Sequence, residues 1–140
     1  RLVEFYGSCQ PDYACNHQDR LGSGYPDGLG AEILSRSLLE HINEQATDPR
    51  QREHVTLFLW DNSEQFSLTS VPVPSELANA SLRFDVDIPV DLVRLEKFLS
   101  KSSLDVASSA AQIVEAANGD AWEEDLGSLS VKRWSSCPEP

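Results

Sequence analysis

The chain has 140 residues with 40% apolar content, which suits one compact domain with a modest core. No run approaches the roughly 20 consecutive apolar residues that a membrane helix needs. A formal net charge of −12 argues against nucleic acid as the main partner, because phosphates are repelled. For the same reason a small anionic substrate implies a metal ion or a few well-placed arginines.

The three cysteines, Cys9, Cys15 and Cys137, fit neither a disulfide framework nor a zinc site. Free thiols of a cytoplasmic protein are the simpler reading. No basic-then-apolar leader opens the chain, and it begins at Arg1 rather than Met. Asn79-Ala80-Ser81 matches the glycosylation tripeptide, which without a secretory signal is read as chance.

Leu2 to Tyr6 reads as the tail of a helix that Gly7 and Pro11 break, and a short strand over 12–16 follows. Residues 17–27 are polar and glycine-rich, hence a loop. Gly28 to Leu34 alternates through Leu29, Ala31 and Ile33, which suits a strand. Ser35 is placed to cap a helix with Leu38, Leu39 and Ile42 on its apolar stripe. Asp48-Pro49-Arg50-Gln51 is a second start signal, with an N-cap, a proline at the first helical position and a capping-box glutamine. That helix is expected to carry Val55, Phe58 and Leu59 inward and to end near Asp61-Asn62.

Phe66 to Val73 looks like a strand. Leu82-Arg83-Phe84-Asp85-Val86-Asp87 alternates strictly, with Arg83, Asp85 and Asp87 on one face. Pro89 then opens a helix with Leu92, Leu95 and Leu99 on one side. Ser102 or Ser103 is placed to cap a further helix that Asn118-Gly119 stops. The acidic, then mixed, stretch from Asp120 to Pro140 is expected to be loosely held. Strands alternating with helices argue for an α/β layered fold, in which ligands gather at the carboxyl ends of the strands.

Asp85 and Asp87, two apart on a strand, place like charges on one side, which a cation would relieve. Mg²⁺ takes one or two carboxylates together with phosphate oxygens and water. The competing reading has Asp87 capping the helix at Pro89 and Asp85 merely exposed. Arg52-Glu53-His54 opens a helix: Arg52 suits a carboxylate and His54 a hydroxyl, or the three form a solvated face. Tyr25-Pro26-Asp27-Gly28 has the residue types of a tight turn. Glu32 beyond it, on the side opposite Ile33, either grips sugar hydroxyls or is simply exposed. No Walker loop, GxGxxG, zinc spacing or nucleophile elbow is present. No partner for His17, His41 or His54 is legible, and His41 is assigned to the outer face of its helix.

Tyr25-Pro26-Asp27-Gly28-Leu29, Glu32, Arg52-Glu53-His54-Val55-Thr56, and Leu82-Arg83-Phe84 with Asp87, Pro89, Asp91 and Leu92 occur in this order. Together they resemble the C-terminal half of the spore coat polysaccharide cytidylyltransferases, relatives of the enzymes that activate neuraminic and ketodeoxyoctonic acids. Asp12-Tyr13-Ala14-Cys15-Asn16 resembles the strand preceding the loop. The resemblance implies a partial Rossmann-like nucleotidyltransferase sheet flanked by helices. It also implies CTP and Mg²⁺ as nucleotide and cofactor, and an acidic sugar as acceptor, giving a CMP-sugar and pyrophosphate. Asp85 and Asp87 would bind the metal; Tyr25, Gly28, Glu32, Arg52 and His54 would line the sugar side, with Arg83 in support.

This sequence departs from that pattern in several places. Gly30 replaces an acidic residue, Leu57-Phe58 replaces a proline-aromatic pair, and Phe84 replaces a tryptophan. The family's opening strand, its basic glycine-containing phosphate loop and a second metal-binding aspartate have no counterpart in the 140 residues. Residues 1–100 are therefore expected to form the C-terminal portion of a cytidylyltransferase-like domain, and 101–140 a helical extension with a tail. A homodimer is expected, since it would cover the exposed sheet edge. The alternative is a catalytically inactive truncated remnant serving as a homo-oligomeric module; a third reading is a small acidic interaction protein of merely shared ancestry.

Overall fold

A computed structural model describes residues 1–17, 21–119 and 122. It divides into two compact units, the first Arg1–Asp85 and the second from Val86 onward. Among the described residues no helix is long and apolar enough to cross a membrane.

The first unit is a small mixed sheet with helices against it. Helix α1 (Leu2–Cys9) runs through Gly7 and ends where Gln10 turns left-handed, its N–H bonded to the Tyr6 carbonyl. Pro11 then forbids continuation. Strand β1 (Tyr13–Cys15) is central, antiparallel to β2 (Glu32–Leu34) and parallel to β3 (Leu68–Ser70). Asp12 secures its start: the carboxylate accepts from the Ser67 N–H at 2.7 Å and hydroxyl at 2.8 Å. These bonds hold the Asp12 pKa below its ordinary value.

The register puts Tyr13, Cys15, Glu32, Leu34, Leu68 and Ser70 on one sheet face. The apolar members of that face form the core with Ile42, Ala46 and Leu59. Ile42 comes from α2 (Arg36–Gln45), which Ser35 caps by accepting from Leu38 N–H, as its sequence position predicts. His41 is exposed on α2, its ring edge-on to Phe58.

The helix expected over 49–61 is two short ones, α3 (Pro49–Glu53) and α4 (Leu57–Asp61). The β-branched pair Val55-Thr56 sits at the break, where stiff side chains disfavour a continuous helix. The interruption resets the helical phase: Leu57 and Leu59 are buried, and Val55 is 56% exposed. Asp48 caps α3 through Arg50 N–H, and Gln51, instead of closing a capping box, donates to Asp61 at 2.7 Å.

Two expected strands are shorter than their alternation suggested. Only Glu32–Leu34 and Leu68–Ser70 pair, because β1 offers three residues to each side. Leu82 to Asp87 is not a strand; it makes one isolated parallel bridge, Arg83 with Asp27. Gly28, at φ +83°, leaves the extended conformation directly after that pair, so the ladder does not extend.

In the second unit Pro89 opens α5 (Pro89–Lys101) and Ser109 caps α6 (Ala110–Ala117) with a capping box to Gln112. Ser102, expected to start α6, instead ends α5. The α5 face also differs from expectation. Leu92 and Leu99 are 49% and 53% exposed, while Asp91 and Phe98 are buried. Arg94 and Leu95 are half-buried between them, so Leu95 lies on the packed stripe and Leu92 and Leu99 lie beside it. The loosely held stretch expected over 120–140, with Cys137, lies outside the described residues except for Trp122.

Candidate functional site

Two clusters in the first unit gather candidate residues. The first joins the Tyr25–Gly28 turn to the 82–85 segment. Asp27 N–H donates to the Leu82 carbonyl at 3.0 Å and the Asp27 carbonyl accepts from Phe84 N–H at 2.9 Å. The Arg83 guanidinium then bridges two carboxylates, Asp27 at 2.7 Å and Asp85 at 3.1 Å. Like charges this close need such a cation between them. A Cβ at position 28 would lie 2.6 Å from the Asp85 nitrogen and from the Phe84 carbonyl carbon. Glycine is thus required twice, for its positive φ and for the close backbone approach. Tyr25 and Pro26 are buried beneath this turn.

The second cluster lies at the carboxyl end of β1. Glu32 pairs with Cys15 and so sits on the core-facing side of the sheet, at its polar rim. His17 Nε2 is 3.6 Å from Glu32 Oε1, with the two side chains 19% and 27% exposed. Asn16 Oδ1 accepts from Ala31 N–H at 2.6 Å. Tyr13 is on the same face, fully buried, and among the described residues its hydroxyl meets no neighbour in good hydrogen-bond geometry. Desolvation, then the nearby Glu32 and Cys15, push its pKa well above the usual phenol range.

Arg52 donates to both the backbone carbonyl (3.0 Å) and the side-chain oxygen (2.8 Å) of Asn43, tying α3 to α2. His54 is the exposed C-cap of α3. Cys9 and Cys15 are free thiols, one exposed and one buried.

In the second unit Asp87 is exposed and precedes α5. Its side chain is not the helix cap: the N-cap position is Ile88, and the carboxylate of Asp91 accepts from both Asp87 N–H and Ile88 N–H at 3.1 Å. Asp91 also holds Arg94 at 3.3 Å, and Arg94 lies over the Trp122 ring at 5.3 Å.

The sequence pointed to Asp91 only within the resemblance and did not reveal its burial. A charged residue three positions after an extended residue at a Pro-initiated helix is the capping signal that could have found it. Among the described residues no group of three or more His, Cys, Asp or Glu is set to hold a metal. Asp85, the last residue of the first unit, and Asp87, in the second, each carry a carboxylate of the type Mg²⁺ takes.

No family model matches the chain, and no curated protein matches it. Among solved structures it is similar to a cytidylyltransferase from Leptospira borgpetersenii serovar Hardjo-bovis (strain JB197), with a TM-score of 0.67 and 23% identity. The match covers 84% of this chain and 48% of that one, so this chain spans about half of that structure's length. The likeness shows the fold: a mixed α/β arrangement shared with a nucleotidyltransferase.

Proposed function

We propose that this chain is the sugar- and metal-binding half of a CTP-dependent cytidylyltransferase that forms a CMP-sugar from an acidic sugar. A single observation carries the reading: Asp27 of the Tyr25–Gly28 turn is bonded to Leu82, Arg83 and Phe84, in a fold shared with a cytidylyltransferase. Two motifs more than fifty residues apart meet in one cluster.

In this reading a sugar hydroxyl oxygen bonds to the α-phosphorus of CTP as the bond to pyrophosphate breaks. Glu32 and the Gly28 turn receive the sugar, Arg52 and His54 line its outer side with Tyr25 packed beneath, and Arg83 keeps Asp85 in place. Asp85 and Asp87 are the proposed Mg²⁺ ligands, and the ion would neutralise charge developing on the phosphates. The catalytic base is unassigned.

The alternative reading is that this chain is an inactive homo-oligomeric module. Calorimetric titration with CTP and Mg²⁺, followed by a pyrophosphate-release assay with an acidic sugar, separates the two. Millimolar-range CTP binding that requires Mg²⁺ supports the first reading. No heat and no turnover, with a dimer seen by light scattering, supports the second.

A further inference from the structure

The antiparallel register of β1 and β2 continues past the strand ends. Cys15 faces Glu32, Asn16 bonds Ala31, and His17 falls opposite Gly30. Residues 13, 15 and 17 and residues 30, 32 and 34 therefore share one side of the sheet. Along that side the surface passes from the apolar core at Tyr13 and Leu34 to a polar rim at the carboxyl end of β1. That end is where α/β sheets place their ligands.

At the rim, space rather than charge decides what fits. A Cβ built on Gly30 would collide with Cγ, Cβ and Nδ1 of His17. These are the root of the imidazole, not the far end of a flexible chain, so no side chain at position 30 is compatible with His17 in this place. The ring occupies the volume that glycine vacates. It is thereby held with Nε2 3.6 Å from Glu32 Oε1. That separation is too long for a direct hydrogen bond, and it is one that a small hydroxyl spans by donating to one group and accepting from the other.

We propose that His17 is a substrate-contacting specificity residue: with Glu32 it grips one hydroxyl of the sugar, and Gly30 is the position that admits it. This rests on the reading of Glu32 as a sugar-side residue. It adds a residue from the first loop to that site and makes the identity of residue 30 the selector.

Nuclear magnetic resonance on the full chain tests it in two parts. Without ligand, His17 ring protons are expected to show Overhauser contacts to the Gly30 α-protons; their absence overturns the geometry and with it the proposal. With N-acetylneuraminic acid as the probe, the His17 imidazole nitrogens and the Gly28 and Glu32 amides are expected to shift together. His17→Gln and Gly30→Ala are each expected to weaken that binding roughly tenfold, the worth of one charge-assisted hydrogen bond. If Gly30→Ala does not fold, His17→Gln, which creates no backbone conflict, carries the test. Shifts at Gly28 and Glu32 with a silent His17 ring, or wild-type affinity in His17→Gln, would overturn the role of His17 and leave the broader reading standing. No response at any of these residues would remove both.

Discussion

The Arg83 guanidinium lies 2.7 Å from the Asp27 carboxylate, at the isolated parallel bridge that joins their backbones. Side chain and main chain thus lock the same pair twice. Arg83→Ala removes the cation while leaving Asp27 and Asp85 in mutual repulsion. With these side chains partly exposed, solvent screening holds the expected loss to about 1–2 kcal/mol. Urea unfolding of the two proteins measures it.

Gly28→Ala tests the backbone side of the same junction. The new methyl would meet the main chain of Phe84 and Asp85 at a φ that L-residues rarely adopt. A loss of about 3 kcal/mol is expected. Thermal unfolding by circular dichroism should show it, and an unchanged midpoint would mean that the turn does not lie against 84–85.

The junction of β1 and β3 makes acid stability a local matter. Asp12 has its pKa lowered, chiefly by the Ser67 backbone N–H. It therefore contributes stability that is fully present above its unfolded value of 3.8 and is lost as pH falls through its folded value. Asp48, lowered by its bonds to Arg50, acts in the same window from a half-exposed position. Asp12→Asn is expected to flatten the stability profile below about pH 4, more than Asp48→Asn does. Denaturant midpoints collected between pH 2 and 6 decide between them.

Much of this organisation was legible from sequence because it is local. Ser35, Asp48 and Pro49 mark helix starts through groups within a few residues, and the structure places them as caps and first-turn residues. The alternation of strand and helix likewise held. Longer-range facts were not legible. Leu82 to Asp87 alternates like a strand, yet pairing needs a partner that runs alongside, and Gly28 leaves the extended conformation directly after the one bridged pair.

The α5 stripe misled for a different reason. Leucines on one side and a Phe with an Asp on the next both satisfy helical spacing, and only the packed Asp91–Arg94 pair selects between them. For the site, Asp27–Gly28 and Arg83 lie more than fifty residues apart, and their meeting appears only in three dimensions. His17 was seen without a partner because Gly30, its neighbour in space, carries no side chain to signal the contact.

Tyr13 predicts the alkaline limb. Its folded pKa is raised, first by desolvation and then by Glu32 and Cys15. The unfolded chain releases that proton near 10.0, so stability falls as pH rises above that value while the folded phenol stays neutral. Tyr13→Phe should flatten the profile above pH 10. It should cost little at neutral pH, because among the described residues the hydroxyl it removes makes no well-formed hydrogen bond. Phenolate absorbance of the wild type is expected to show one tyrosine ionising only with unfolding.

The last prediction separates two roles of acidic residues around α5. Asp91 is buried, accepts from the N–H groups of Asp87 and Ile88, and holds Arg94 over the Trp122 ring. Asp91→Ala strands two N–H donors and a half-buried guanidinium, a loss of about 3 kcal/mol by comparison with broken buried pairs. Trp122 emission should shift with it, because the cation above the ring loses its anchor. Asp87→Asn keeps the backbone N–H that Asp87 donates to Asp91. It should unfold within about 0.5 kcal/mol of wild type. Its effect belongs instead in Mg²⁺ titration, where Asp87→Asn and Asp85→Asn are each expected to weaken binding roughly tenfold or more. Unchanged cation affinity in both, with stability lost only in Asp91→Ala, would assign the acidic residues at this helix start to architecture alone.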